Sequence, residues 1–437
     1  MPATGLRLAM IGLGTVGTGV AKLLTQRPEH LRSLGVGPLE LKTVVVRDPA
    51  KSRGIDLGGA RLTTDFDSLL ADRDIDAVIE VMGGIEPARH RIAALLRAGK
   101  HVVTANKAVL AEHGRELFEI AHQSDRSILF EASVAGGIPI LAALAETLCV
   151  NRIERISGIV NGTCNYILTA MHERGLAYGD ALRQAQQLGF AEADPTLDVN
   201  GSDAAQKLAI LARLAFQSKV DWRSISRAGI DKLDSMDLRF ARELGYVIKL
   251  LAEGEVVGGK LSLQVTPKLV HQNHPLAQIR GEYNAIQVHG DAVGDLLFSG
   301  KGAGEMPTAS SVVAGVIDLA TGRGQQTFRA LRLWETEPAG PHFDPTSQAK
   351  SRFYLRFTIS DRPGTLARIA SILGEHGISI ASVIQHETPE NKPEQPVPLI
   401  IMTHEASDGP VRLSLAEADR LEIARAPSVC LPVAAHA

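Results

Sequence analysis

Asp203 and Lys207 stand four residues apart on a helical pattern that is otherwise apolar. At about 100° per residue, with Asp203 at zero, Lys207 falls at about 40°, Ile210 at about 340°, Leu211 at about 80° and Leu214 at about 20°. Both charges therefore continue the apolar stripe, and the polar side of the helix is assigned to Gln206, Arg213 and Gln217. An aspartate and lysine at this spacing ordinarily form a solvated pair worth ~0.3–0.5 kcal/mol. On an inward face each charge needs a partner or a task, because an uncompensated buried charge is costly. The stretch before this helix, Gly189-Phe190-Ala191-Glu192-Ala193-Asp194-Pro195 followed by Asp198, adds further carboxylates.

A second chemistry sits at the N-terminus. The apolar run Leu6 to Ile11 leads into Gly12-Leu13-Gly14-Thr15-Val16-Gly17 and an amphipathic helix through Leu24. Glycines there permit a tight turn, close approach of backbone to a pyrophosphate and close helix packing, while the helix N-terminus offers N–H groups to the anion. The alternative is a Gly-rich packing turn. At the end of the next strand, Val45-Val46-Arg47-Asp48 puts a basic residue where a ribose 2′-phosphate would be read, which favours NADP; Asp48 keeps NAD open. His101-Val102-Val103-Thr104 forms another strand with Ala105-Asn106-Lys107 at its carboxyl end, where open parallel sheets hold ligands, so Lys107 is a candidate against simple exposure. Glu131 to Ile138 (EASVAGGI) combines one carboxylate with a Gly-rich backbone able to turn carbonyls toward a hard cation such as sodium, or else forms a plain interdomain turn. The 14 histidines spell no HExxH or related transition-metal pattern.

The elements that must position these residues follow from length and pattern. The 437 residues set an expectation of about three domains at roughly 150 residues each. The 46 Lys and Arg against 49 Asp and Glu give a net charge of −3, which speaks for a small-molecule partner rather than nucleic acid or an anionic membrane. The hydrophobic share of 45% and charged share of 22% exclude disorder as the main state. Cys149, Cys164 and Cys430 form neither a CxxC pair nor an even set, which fits a reducing cytoplasm. The uncharged run Leu8 to Ala21 after Arg7 imitates a signal sequence but is better read as the glycine motif, and no run of ~18 apolar residues exists for a membrane span.

Apolar stretches at Leu6 to Ile11, Leu41 to Val46, Ala77 to Val81, His101 to Thr104 and Ile128 to Phe130 alternate with helical patterns, which predicts a doubly wound parallel sheet. The fold class is α/β: a Rossmann dinucleotide-binding domain over 1–136, completed by about 300–330, then a second α/β or α+β domain over 137–299. A Pro-rich linker at 334–351 precedes a unit over 352–437 whose strand and helix order is βαββαβ, the ferredoxin-like arrangement. Its second helix is predicted from Leu413 to Ala424, and the insert Glu387 to Pro396 interrupts a compact hairpin.

Taken together, these motifs resemble the homoserine dehydrogenase family. The resemblance covers nearly the whole chain: Gly12 to Gly17, Thr104 to Lys107, Glu131 to Ile138, Asn161-Gly162-Thr163-Cys164-Asn165-Tyr166 and Gly189 to Lys207. The separations of eleven residues from Glu192 to Asp203 and fifteen to Lys207 are the family's. It implies 137–299 as the catalytic and dimerisation domain, Lys207 as proton donor, Lys107 as a second lysine near cofactor and substrate, and Glu192 and Asp203 as ligands of the substrate amino group. Glu131 with the carbonyls of Val134, Gly136 and Ile138 would hold sodium. Gly12, Gly14, Thr15, Val16, Gly17, Arg47, Thr104, Lys107, Gly189 and Gly304 would line the NADP or NAD site. The tail looks like an ACT domain, through Asp361-Arg362-Pro363-Gly364 and the helix after it, and the resemblance implies a homo-oligomer with L-threonine as effector.

The reaction so implied is reversible NAD(P)H-dependent reduction of L-aspartate 4-semialdehyde to L-homoserine, in threonine, methionine and isoleucine biosynthesis. Two rivals remain open. A phosphorylating semialdehyde dehydrogenase requires a cysteine nucleophile, for which Cys164 is the candidate. A non-catalytic sensor would bind dinucleotide and amino acid without turnover.

Overall fold

The computed structural model describes residues 5–335, 340–346, 350–385 and 396–434. The insert read at Glu387 to Pro396 lies, apart from Pro396, outside the described residues. Among the described residues three sheets form. The first contains β1 (Leu6–Ile11), β2 (Leu39–Val45), β3 (Arg61–Thr63), β4 (Ala77–Glu80), β5 (His101–Thr104) and β6 (Ile128–Leu129) in the order β3-β2-β1-β4-β5-β6, all parallel. All four residues of β4 are buried, as a strand covered by helices on both faces requires. This is the Rossmann order, and its switch point between β1 and β4 opens a crevice at the strands' carboxyl ends.

The helix Glu305–Ala320 returns to this first sheet and packs on the helix Thr15–Gln26. Contact is close because Gly19 has no side chain: a Cβ there would lie 2.8 Å from the Glu305 carbonyl oxygen.

The second sheet contains β7 (Ile153–Ile159), β8 (Ser226–Arg227), β9 (Tyr246–Val257), β10 (Lys260–His271), β11 (Tyr283–Gly290) and β12 (Gly294–Lys301), ordered β12-β11-β7-β9-β10-β8. Sequence periodicity finds β7, β10 and β11 but not β9, whose Lys249 breaks the apolar run and whose Leu-Leu-Ala-Glu is good helix sequence. The mark that would find it is Gly258-Gly259, both with positive φ (58° and 81°), joining β9 and β10 as a tight hairpin in register from Val257 opposite Lys260 to Tyr246 opposite His271.

The helix Ser202–Ala215 lies against this sheet, and its environment differs from the expected two-sided one. Gln206 is buried and Arg213 spreads over the Phe118 ring at 5.6 Å, so of the three residues assigned to a solvated side only Gln217 is exposed. The reason is tertiary: Lys107–Gln123 of the first unit packs across the face that periodicity alone assigns to solvent.

The third sheet contains β13 (Phe353–Ser360), β14 (Ile380–Gln385), β15 (Pro396–Thr403) and β16 (Ala424–Pro432) in the antiparallel order β14-β15-β13-β16, with helices Thr365–Glu375 and Asp408–Ala418. This is the ferredoxin-like arrangement expected. The second helix begins at Asp408 rather than Leu413, because Gly409-Pro410, which reads as a breaker, falls in its first turn, where proline costs no hydrogen bond. This unit is clamped to the second sheet. Arg356 grips the fully buried Asp237 with two hydrogen bonds of 2.6 and 2.9 Å, the Tyr354 hydroxyl donates to it at 3.0 Å, and Ala434 N–H donates to the Leu269 carbonyl at 2.9 Å. The described part of 334–351 is likewise held to the body: Trp334 stacks on His122 at 4.0 Å, and Lys260 pairs with Asp344 at 2.9 Å.

Candidate active site

Gly201, with φ of 83°, turns the chain into the helix Ser202–Ala215, which puts Asp203 in the first turn, where a carboxylate suits the helix dipole. Asp203 is 5% exposed and sits between two ammonium groups. Its Oδ1 lies 2.8 Å from Lys107 Nζ and its Oδ2 lies 2.8 Å from Lys207 Nζ. Asn161 Nδ2 donates to the same Oδ2 at 2.8 Å and to Asp198 Oδ1 at 2.7 Å, while its Oδ1 caps the helix Gly162–Arg174 by accepting from Cys164 N–H. Lys207 also donates to the Val160 carbonyl at 2.7 Å, at the end of β7.

The electrostatics follow from this contact set. Burial alone would raise the Asp203 carboxyl, but Lys207 and Lys107 overcome it and hold the group well below the usual carboxylate range. Asp203 raises the Lys107 ammonium against an opposing effect of burial. Asp198 goes the other way, pushed up first by burial and then by the Asp203 charge. The two lysines differ in access: the Lys207 side chain is 12% exposed and that of Lys107 39%. Lys107 therefore faces the opening, and Lys207 is walled in with its ammonium held by two oxygens. Glu192 is exposed at the mouth, and its charge reaches Lys107.

On the dinucleotide side, Gly12 (φ 100°) is pressed against β4, where a Cβ would meet the Val81 carbonyl oxygen at 2.7 Å, and a Cβ on Gly17 would collide with the Gly12 carbonyl. Gly14 and Thr15 instead face open space at the start of Thr15–Gln26, which has no side-chain cap and no acidic residue in its first turn. An anion fits there. Gly12 N–H donates to Val45 O, so Arg47, exposed two residues later, stands beside this turn. Asp48 is already engaged, accepting from Ala50 N–H at 2.9 Å. Arg53, not singled out in the sequence, ties the two loops together by donating to the carbonyls of Leu13, Lys51 and Asp48.

Thr104 does not bring its side chain to the crevice. It is fully buried, and its hydroxyl donates to Glu80 at 2.6 Å, in a network with Asn106 that fixes the start of the helix bearing Lys107. Gly189 (φ 77°) is exposed beyond the helix Tyr178–Gln187, and Gly304 (φ 117°) opens the helix Glu305–Ala320.

At the junction of the first two sheets, Glu131 accepts from the backbone N–H groups of Leu141 and Ala142 at 3.0 and 2.7 Å. Burial pushes its carboxyl up to about 7, and Asp318 and Glu146 add to the shift. Ala135 and Gly136 have successive positive φ values of 54° and 47°, which turns the backbone sharply between Val134 and Ile138. Two of the carbonyls already accept hydrogen bonds, Gly136 from the Ser311 hydroxyl at 2.7 Å and Ile138 from Ile140 N–H at 2.8 Å, each retaining a second lone pair. Among the described residues no group of three or more His, Cys, Asp or Glu could hold a metal ion.

Cys164 is fully buried and its thiol is raised well above its usual value, by burial first and by Asp198 and Asp203 next. A nucleophilic cysteine needs the opposite environment, so the thiohemiacetal route loses its only candidate. Asn161, the residue joining both aspartates, carries no role in the sequence reading. Its signal is a polar residue at a strand-to-helix junction, where an asparagine caps the helix.

A family model described as "Homoserine dehydrogenase, NAD binding domain" matches residues 12–131, one described as "Homoserine dehydrogenase" matches 139–317, and one described as "ACT domain" matches 353–422. The chain is 40% identical over 424 residues to "Homoserine dehydrogenase" of Bacillus subtilis, covering 96% of each chain. Its structure is similar to that of a homoserine dehydrogenase from Thiobacillus denitrificans, with a TM-score of 0.91, 37% identity and 99% of both chains covered. It is also similar to a hyperthermophilic archaeal homoserine dehydrogenase in complex with NADPH, with a TM-score of 0.60 and 26% identity over 73% of this chain and 98% of that one. Among the described residues no helix is long and apolar enough to cross a membrane. A Rossmann crevice opening on a lysine–aspartate–lysine cluster, an ACT unit behind it and 40% identity across almost the full length leave one conclusion: the chain belongs to the homoserine dehydrogenase family and is an NAD(P)-dependent oxidoreductase.

Proposed function

We propose that the Lys107–Asp203–Lys207 cluster is where L-aspartate 4-semialdehyde is reduced reversibly to L-homoserine, in the biosynthesis of threonine, methionine and isoleucine. The observation that carries this reading is Asp203 bridging both ammonium groups at 2.8 Å. A reduced nicotinamide dinucleotide held at the Gly12–Gly17 turn would supply the hydride for the aldehyde carbon, and negative charge would develop on the aldehyde oxygen. Lys207 stabilises that charge and donates the proton that completes the hydroxyl, while Lys107, at the open side, orients the oxygen. Asp203 already accepts from Lys107, Lys207 and Asn161, so it acts chiefly by fixing both lysines in place and by favouring the charged form of Lys107. Glu192, exposed at the mouth, is the freer carboxylate for the substrate ammonium. The direct test is oxidation of NADPH or NADH with aspartate semialdehyde; absence of turnover with intact dinucleotide binding would favour the sensor reading.

For the cofactor, the reading is NADP before NAD, with Gly12, Gly14, Thr15, Val16, Gly17, Gly189 and Gly304 lining its seat and Arg47 at the ribose. The archaeal relative bound to NADPH supports that order. Replacing Arg47 by alanine is expected to lower the ratio of kcat/KM for NADPH over NADH about tenfold, the size of one charge-assisted contact. An unchanged ratio would shift the role to Arg53.

A sodium ion at Glu131 and the carbonyls of Val134, Gly136 and Ile138 is proposed because Glu131 is a poorly solvated carboxylate with acidic neighbours, and a cation would relieve its cost. A carboxyl raised to about 7 is mostly neutral at pH 6 and ionised at pH 8, so cation binding strengthens with rising pH. Melting temperature in sodium chloride should exceed that in choline chloride by about 2 °C at pH 8 and less at pH 6, with the difference gone in Glu131→Gln.

The ACT unit is proposed to bind L-threonine and lower activity from a distance. Gly364 (φ 89°) turns the backbone tightly enough for main-chain groups to meet the ligand's charged ends. Coupling of ~1–3 kcal/mol corresponds to a 5- to 150-fold change in affinity. Calorimetry with threonine and rates at millimolar threonine test it, and a null result in both removes threonine as effector. The free thiols of Cys149, Cys164 and Cys430 support a cytoplasmic location, and we read the active form as a homo-oligomer.

A further inference from the structure

Toward the C-terminal end of the helix Gly162–Arg174, away from Asn161 at its N-cap, a cavity of about 390 Å³ opens between that helix, the start of β9 and the loop before β11. Lys249 forms its floor. This lysine is 4% exposed, and its ammonium donates only to neutral oxygens, Asn165 Oδ1 at 2.9 Å and the Ile279 carbonyl. Among the described residues no carboxylate lies within ion-pair distance of it. Arg242 and Arg280 stand exposed at the rim. The one acidic side chain in the lining is Glu173, which pairs with Arg280 at 3.4 Å. His172 faces the same space, and its Nδ1 is buried without a hydrogen-bond partner.

Three cations against one carboxylate, with the most buried cation lacking an anionic partner, is an arrangement that folding alone does not favour, since a desolvated ammonium is costly unless a counter-charge compensates it. Burial pushes the Lys249 ammonium down to about 8, and the His172 imidazolium is lowered as well, through burial and then the nearby Arg242 and Lys249 charges. An anion in the cavity would relieve both. We propose that this cavity is a binding site for a small dianion, phosphate or a short dicarboxylate, held by Lys249 below and by Arg242 and Arg280 above. Part of the local positive charge has another use, because Arg242 donates to the His172 carbonyl at the end of its helix at 3.4 Å. That contact does not reach Lys249.

The test is calorimetric titration of the full chain, saturated with nicotinamide dinucleotide so that the glycine-turn anion seat is filled. Sodium phosphate and sodium succinate are compared at constant ionic strength and sodium concentration. Saturable binding of either is expected, and which of the two binds tells the tetrahedral from the dicarboxylate ligand. In the surface double variant Arg242→Gln, Arg280→Gln the affinity should fall by at least about tenfold, as loss of charge-assisted contacts implies. Lys249→Met should abolish binding, with the double variant deciding if Lys249→Met does not fold. No saturable heat with either anion, or equal affinity in the double variant, overturns the proposal and leaves the basic cluster as a cap for the helix end.

Discussion

Lys207→Ala is expected to lower kcat by about 10² to 10⁴, the range for loss of one general acid, while KM changes far less. The interaction lost is strongest when negative charge has developed on the aldehyde oxygen, so the deficit belongs to the transition state. The geometry sharpens this expectation. With 12% of its side chain exposed and its ammonium fixed by Asp203 and the Val160 carbonyl, Lys207 has little room to be replaced by water. Lys107, 39% exposed, should give a smaller defect with a larger share in KM. Steady-state kinetics of the two variants decide the roles, and a Lys207→Ala enzyme within about fivefold of wild type would remove Lys207 from the proton transfer.

The second large effect is expected at Asp203, on stability as well as rate. Asp203→Asn keeps the shape but leaves two ammonium groups 2.8 Å from a neutral amide, and breaking a buried ion pair by removing one partner costs about 3–5 kcal/mol. Solvent screening of the half-exposed Lys107 places the loss toward the lower end. The sign with pH is fixed by the direction of the shift. The folded-state carboxyl lies below its unfolded value, so its contribution is complete above the unfolded carboxylate range of about 3.9 and disappears as pH falls through the folded value. Urea midpoints of wild type and variant should therefore differ at pH 7 and converge under acid. The variant should lose about 10²-fold or more in kcat, because Lys107 is no longer held protonated by its partner and the lysine pair is no longer aligned. A pH–rate profile separates this from simple destabilisation: its alkaline limb should move to lower pH in Asp203→Asn. An unmoved limb would leave Asp203 a purely structural anchor.

A doubly wound parallel sheet was legible in the residues alone, because fully buried parallel strands write continuous apolar runs between amphipathic helices, whereas the short edge strand β3, with no buried residue, wrote none; the glycine turn was legible too, its residue types being demanded by backbone geometry. The sequence also determined the βαββαβ tail, and that Asp203 and Lys207 share one helical face, because that follows from 3.6 residues per turn. Several things lay beyond it. Strand β9 was hidden by Lys249, a charge in a central strand that only an unusual surrounding permits. Gln206 and Arg213 are covered because a helix from another unit crosses them, which periodicity within one helix cannot register. Thr104 sits at the strand end as expected, yet burial of Glu80 beside it claims its hydroxyl. Above all, the joining of Lys107 to Asp203, ninety-six residues apart, belongs to the tertiary structure. Sequence spacing fixes which residues share an element, but an ion pair between elements exists only once both are packed, and that packing joins Lys107, at the start of its helix, to the Asp203–Lys207 pair in one charged site.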